Sequence, residues 1–152
     1  MVLNRQILTK FQHLKQAEYA YLRDLSDLDF VDILRVEEVL HKITVDRVHF
    51  AKSLFERAKA EKNTDDASVR KRISMCYYSQ YHCARAAVFH THRYDIDSHK
   101  HLPIEIEGIL GQEFKDMLKD WREKRNKVDY ELYLPAWRQT GTLICTSPQE
   151  RR

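Results

Sequence analysis

The sequence predicts an all-α protein: an up-and-down helical bundle of four to five helices with extra N-terminal helices. Three observations carry this. Only 3 Gly and 3 Pro occur in 152 residues, which leaves few breakers for the many turns a sheet protein needs. Charged residues make up 32% of the chain, enough to clothe the solvent faces of helices. Apolar residues recur with a period near 3.6 from the N-terminal third to Val128. At this length the simplest arrangement is one domain with a genuine core.

Element by element, Leu8, Phe11, Leu14, Tyr21, Leu22 and Leu25 predict an amphipathic helix from Asn4 to about Leu25. Ser26, Asp27 and Asp29 read as an interruption, and Leu34, Val36 and Leu40 predict a second helix from about Phe30 to Lys42. Thr44 is a good N-cap for a third, with Val45, Val48, Ala51, Leu54, Phe55 and Ala58 on one face to about Asn63. A polar turn follows, whose Thr64, Asp65 or Asp66 can cap the longest stretch, about Asp66 to Arg93. Residues 90–101 read as an irregular connection. Leu102-Pro103 opens a short helix that Gly111 ends, and Phe114, Met117, Leu118, Trp121, Arg125 and Val128 mark a last one from Gln112 to about Leu132. After Pro135 the period is lost. The organisation expected is an N-terminal helical extension (1–43), a bundle (44–134) and an irregular tail (135–152).

The net charge is +3, with Lys and Arg interspersed among Asp and Glu, so no basic stripe demands or excludes an RNA partner. No segment approaches the ~18 apolar residues of a membrane span, and the N-terminus lacks a signal-peptide layout. Cys76 and Cys83 lie about 10 Å apart along one helix at ~1.5 Å per residue, too far to pair with each other. Both are expected as reduced core thiols of a cytoplasmic protein. His90, His92, His99 and His101 sit in pairs, but no Cys-x-x-Cys or His-Glu-x-x-His occurs. No metal and no cofactor is expected, and no Gly-rich phosphate loop or Ser nucleophile motif is present.

Two segments hold more polar groups than a core-facing helix needs. Ser74, Tyr78, Tyr81, His82 and Arg85 follow spacings of three and four and form one stripe. Arg122, Arg125, Asn126 and Asp129 share a face of the last helix, bordered by Trp121 and Val128. Buried polar groups need partners. Tyr78, Tyr81, His82 and Asp129 therefore either form an internal network, with Arg125 paired to Asp129, or border a cleft in which Arg122, Arg125, Asn126 and Arg85 hold a phosphate through forked N–H donors.

Taken together, Tyr77-Tyr78-x-x-Tyr81-His82-x-Ala84-Arg85-Ala86, Ser98-His99-Lys100 and Arg122-x-x-Arg125-Asn126-x-x-Asp129-Tyr130 resemble the HEPN superfamily. The likeness is closest to an uncharacterised prokaryotic branch with an Arg-x-x-x-Asp-Tyr motif, and it spans roughly Thr44 to Leu134. It implies a homodimer whose Arg-Asn helices line a shared cleft. It also implies a toxin-like subunit of a toxin–antitoxin pair that binds a nucleotide or RNA, with a nucleotidyltransferase-fold protein as antitoxin. Arg125 is then the phosphate-binding residue. In ribonuclease members a His follows that Arg after four to six residues; here Tyr130, Glu131 and Leu132 stand there, and no His follows His101. A metal-independent endoribonuclease would have to use Arg125 with His82 or Tyr130. A purely structural dimerisation module is the other alternative.

Overall fold

The computed structural model describes residues 9–27, 32–62 and 64–130. Among them the chain is all-α. A helical turn at 9–11 precedes α1 (Gln16–Asp27), α2 (Ile33–Ala60), α3 (Asp66–His92), α4 (Leu102–Leu110) and α5 (Gln112–Tyr130). No helix among the described residues is long and apolar enough to cross a membrane. The first eight residues and the tail expected at 135–152 lie outside the described residues.

α2 and α3 form a long hairpin. Asp32 caps α2 by accepting from the amides of Leu34 (3.1 Å) and Arg35 (3.4 Å). At its far end Asp65 and Ser68 make a reciprocal capping box that restarts the chain as α3. Arg93 ends α3 in the left-handed conformation (φ 63°), and its side chain is anchored to Glu37 on α2 at 2.7 Å. Pro103 in the first turn of α4 and Gly111 at its end (φ 87°) delimit the short helix as expected.

α3 is the central helix. Its Val69, Ile73, Tyr77, Ala84 and Val88 share one core cluster with Ala58 of α2, Leu102 and Ile106 of α4, and Leu118, Trp121 and Val128 of α5. A second cluster gathers Leu14 with Val36, Val39, Leu40 and Ile43 of α2 around Phe89, near the end of α3. Phe89 is fully enclosed and joins the N-terminal elements to the central helix.

Two expectations about the N-terminal third are corrected. The helix starting at Thr44 does not exist, because α2 runs unbroken through it. Leu40 and Ile43, 1% and 2% exposed, pin the preceding turn in the core, and the Thr44 hydroxyl is satisfied by the Leu40 carbonyl at 3.0 Å. The boundary placed between 43 and 44 therefore falls inside a continuous helix. The single helix from Asn4 to Leu25 is interrupted at residues 12–15. There the Gln12 carbonyl accepts from Arg47 Nη2 (2.5 Å) and the Leu14 carbonyl from the Asp95 amide (2.7 Å), while the Lys15 amide is taken by Glu18 at 2.7 Å. Tertiary partners replace the helical ladder.

The reduced-core-thiol expectation is corrected as well. Cys76 is in the core, 2% exposed, but disulfide-bonded; Cys83 is a free thiol, but it lies on the surface.

Because Phe89 is the fully enclosed α3 residue of the second cluster, Phe89→Ala is expected to destabilise the protein by about 3–5 kcal/mol, the usual cost of deleting an enclosed Phe side chain. Urea unfolding followed by circular dichroism measures this.

Candidate functional site

The left-handed turn at Arg93 sends residues 94–101 back along α3, and this return strand of chain builds the site. Tyr81 donates its phenolic hydrogen to the Asp97 carbonyl at 2.7 Å. Tyr77 and His99 Nδ1 share a hydrogen bond at 2.5 Å. The His99 ring stacks on Tyr81 with centroids 4.1 Å apart and planes 25° apart. Tyr77, Tyr78, Tyr81 and His99 therefore form one aromatic layer, α3 supplying three rings and the connection the fourth. Burial, more than any charge, pushes the Tyr77 phenol up to about 12, with Arg122 opposing it. Burial and then Arg122 and Arg125 hold the His99 imidazole below its ordinary range, so it is neutral at pH 7.

α5 meets this layer with its arginines. Arg125 reaches across to α3, Nη2 donating to the Tyr78 hydroxyl at 3.1 Å and Nη1 to Asn126 Oδ1 at 3.3 Å. Its Nε lies 2.5 Å from Asp129 Oδ2, off the line of the N–H, so that attraction is electrostatic rather than an aligned hydrogen bond. Asp129 also accepts from Ser74 Oγ at 3.4 Å. The guanidinium of Arg125 is thus engaged on every nitrogen by its own chain. Arg122, one turn earlier, is half-buried and close enough to depress both Tyr77 and His99, yet among the described residues it has no hydrogen-bond or ion-pair partner.

The remaining residues singled out from sequence have other main partners, although the His82 ring still meets Tyr81 edge-on at 5.4 Å and Arg85 lies over the Tyr81 ring at 5.7 Å. His82 turns toward α2, with its ring edge-on to Phe50 at 4.8 Å. Its pKa falls to about 4, chiefly through burial, then through Arg85, Arg47 and His99. Arg85 is committed to Asp95, to which it donates from both Nε (3.1 Å) and Nη2. Tyr130 is 79% exposed.

Three residues that matter most were invisible to motif reading. Asp95 sits in a polar connection, where an Asp is ordinarily solvated, but its side chain is fully enclosed. It is held by Arg85, by Arg47 at 3.0 Å and by His13 Nδ1 at 3.4 Å. Arg47 reads as one more charge on a charged helix. His99 was part of a motif with no role assigned to it, and only the Arg93 turn brings it onto Tyr81.

No protein-family model, no curated protein and no solved structure matches the chain. An uncommitted guanidinium beside a layer of aromatic rings can grip a phosphate while a base stacks nearby.

Two outcomes follow. Asp95→Asn leaves Arg47 and Arg85 without their buried counter-charge and is expected to cost about 3–5 kcal/mol, as removal of one partner from a buried ion pair does; chemical denaturation reads this. For His82, the unfolded chain takes up a proton between pH 6.5 and about 4 that the folded chain refuses. Stability should fall as pH drops through that window, and His82→Gln should flatten part of the fall in thermal melts.

Proposed function

We propose that the chain is a HEPN-type nucleotide- or RNA-binding subunit and that it binds phosphate through Arg122. The observation that supports this reading is the half-buried Arg122 guanidinium, without a hydrogen-bond or ion-pair partner among the described residues, close to the Tyr77–His99–Tyr81 layer. Arg125, the residue that the HEPN resemblance marks for phosphate, serves here to fix α5 against Tyr78 and to keep a second positive charge behind the first. Asn126 accepts from Arg125 and orients it. The proposal extends to a homodimer in which two such faces meet, and to a toxin-like role with a nucleotidyltransferase-fold antitoxin as partner. The exposed phenol of Tyr130 next to Asp129 suits a partner that modifies tyrosine. A cytoplasmic setting belongs to the same proposal, and the Cys76 disulfide weighs against it, since such bridges persist mainly in oxidising compartments.

Metal-independent RNA cleavage is a narrower version of this reading. Neither His82, which faces Arg47 and Arg85, nor Tyr130, which is exposed, is the partner that favours it. The neutral imidazole beside Arg122 and Arg125 belongs to His99, and a general base at this face would be that residue.

A structural reading is favoured by one specific observation: the Arg125 guanidinium is fully engaged within the chain. The two readings separate by mutation. Arg122→Met should leave the melting temperature unchanged and weaken binding of a short single-stranded RNA by about tenfold or more, the worth of one charge-assisted contact. Arg125→Met should lower the melting temperature. Fluorescence polarisation with the full chain reads the binding. If the unsubstituted protein binds neither RNA nor nucleotides while Arg125→Met still destabilises it, the structural reading stands and the binding reading falls.

A further inference from the structure

Toward the C-terminal end of α3, beyond the Arg125–Tyr78 contact, the break in the N-terminal segment leaves a cleft of about 250 Å³ between residues 12–13, α2 and α3. Its lining includes Gln12, His13, Arg47, His82 and Arg85, together with the carboxylate of Asp46 and the apolar Ile43 and Phe50. It exists because residues 12–14 leave the helical path, and neither Arg122 nor Arg125 lines it, although Arg85 also lies over the Tyr81 ring. We propose that this cleft is a phosphate site, taking inorganic phosphate or the phosphoryl group of a small phosphomonoester.

The charge balance is the first argument. Arg47 and Arg85 bring two guanidinium groups to the cleft, only 11% and 12% exposed, and the enclosed carboxylate they share, Asp95, neutralises one. The other carboxylate of the lining, Asp46, is already paired with Lys42 at 3.4 Å. One buried positive charge is left over, and such a charge is unfavourable until an anion joins it.

Donor accounting points the same way. Arg47 spends Nη2 on Asp95 and on the Gln12 carbonyl, and its Nη1 is buried with no hydrogen-bond partner among the described residues. A buried donor without an acceptor marks a place where an acceptor is absent. His13 and His82 add ring nitrogens that can donate once protonated. Two forked cations and two imidazoles around one small space suit a tetrahedral dianion better than a monovalent carboxylate.

Size sets the limit. The cleft is smaller than the roughly 300–1,000 Å³ that encloses a drug-sized ligand, so it takes a phosphoryl group and not a whole nucleotide. The half-exposed Phe50 ring, edge-on to His82, forms an apolar wall at the mouth against which an ester group could lie.

His82 supplies a local reporter. The groups acting on it are Arg85 of α3, Arg47 of α2, His99 and Asp95 of the connection, and its depressed pKa follows from burial and the cationic surplus. A phosphate beside Arg47 and Arg85 would stabilise the protonated ring and move the pKa upward.

The experiment is NMR titration of the His82 ring in the full-length protein, with inorganic phosphate, a nucleoside monophosphate and acetate added in turn. A saturable rise in the His82 pKa with phosphate or the monophosphate, and none with acetate at equal ionic strength, is expected. Whichever of the two saturates at lower concentration names the source of the phosphoryl group. Arg47→Lys, which keeps the charge that faces Asp95 but loses the fork, should raise the half-saturation concentration by about tenfold, and Arg122→Met should leave it unchanged. The absence of a saturable response in the unsubstituted protein overturns the proposal, as does an equal response to acetate. A response abolished by Arg122→Met but not by Arg47→Lys overturns it too, because the phosphate would then sit at Arg122.

Discussion

Asp95 is a carboxylate enclosed in a protein that has no shortage of solvent-facing places for an acid, and the rest of the arrangement answers to it. A buried carboxylate is tolerable only with full charge and hydrogen-bond compensation. Here the compensation comes from three parts of the chain: Arg85 from α3, Arg47 from α2 and His13 from the N-terminal segment, while the Asp95 backbone amide donates to the neighbouring Leu14 carbonyl. Each of these groups is far from the others in sequence. The carboxylate thus closes the molecule at the end where the hairpin of α2 and α3 would otherwise splay.

The same constraint positions the candidate face. Once Asp95 is drawn against Arg85, the chain leaving Arg93 has to run back along α3. Asp97 then arrives over Tyr81, and His99 over Tyr77 and Tyr81. The aromatic layer is therefore a consequence of an ion pair that it does not contain. Local helix rules alone would have put Tyr77 and Tyr81 one turn apart with nothing across from them. The hydrogen bonds of both phenols go to the connection, which explains how a core-facing helix can carry so many hydroxyls without an unsatisfied one at either ring.

What was legible in the sequence follows physical lines. α3, α4 and α5 could be placed closely because their ends are written locally: the Asp65–Ser68 box, Pro103, and the left-handed Gly111. α2 was misread as two helices because Thr44 has the chemistry of a cap, and a hydroxyl that bonds back to the Leu40 carbonyl looks the same in sequence as one that starts a helix. The N-terminal break was hidden for a different reason: Gln12 and Leu14 give up their carbonyls to Arg47 and to the Asp95 amide, partners more than thirty residues away. Spacing could show that Arg125 and Asp129 share a face. It could not show which of the two arginines on that face is already occupied.

That last distinction decides how the polar surplus on α3 and α5 should be understood. Two uses were open, an internal network or a cleft, and they need not exclude one another. Arg125 is spent on Tyr78, Asn126 and Asp129, which is what a network requires. Arg122 is not spent on any of the described residues, although it stands close enough to depress Tyr77 and His99. A guanidinium left half-buried without a partner gains little stability for the fold, so its placement needs another cause, and an anionic ligand is the simplest that chemistry offers. A network and an anion site can then divide the labour within one helix turn: Arg125 holds α5 in register against Tyr78, which keeps Arg122 close to the rings.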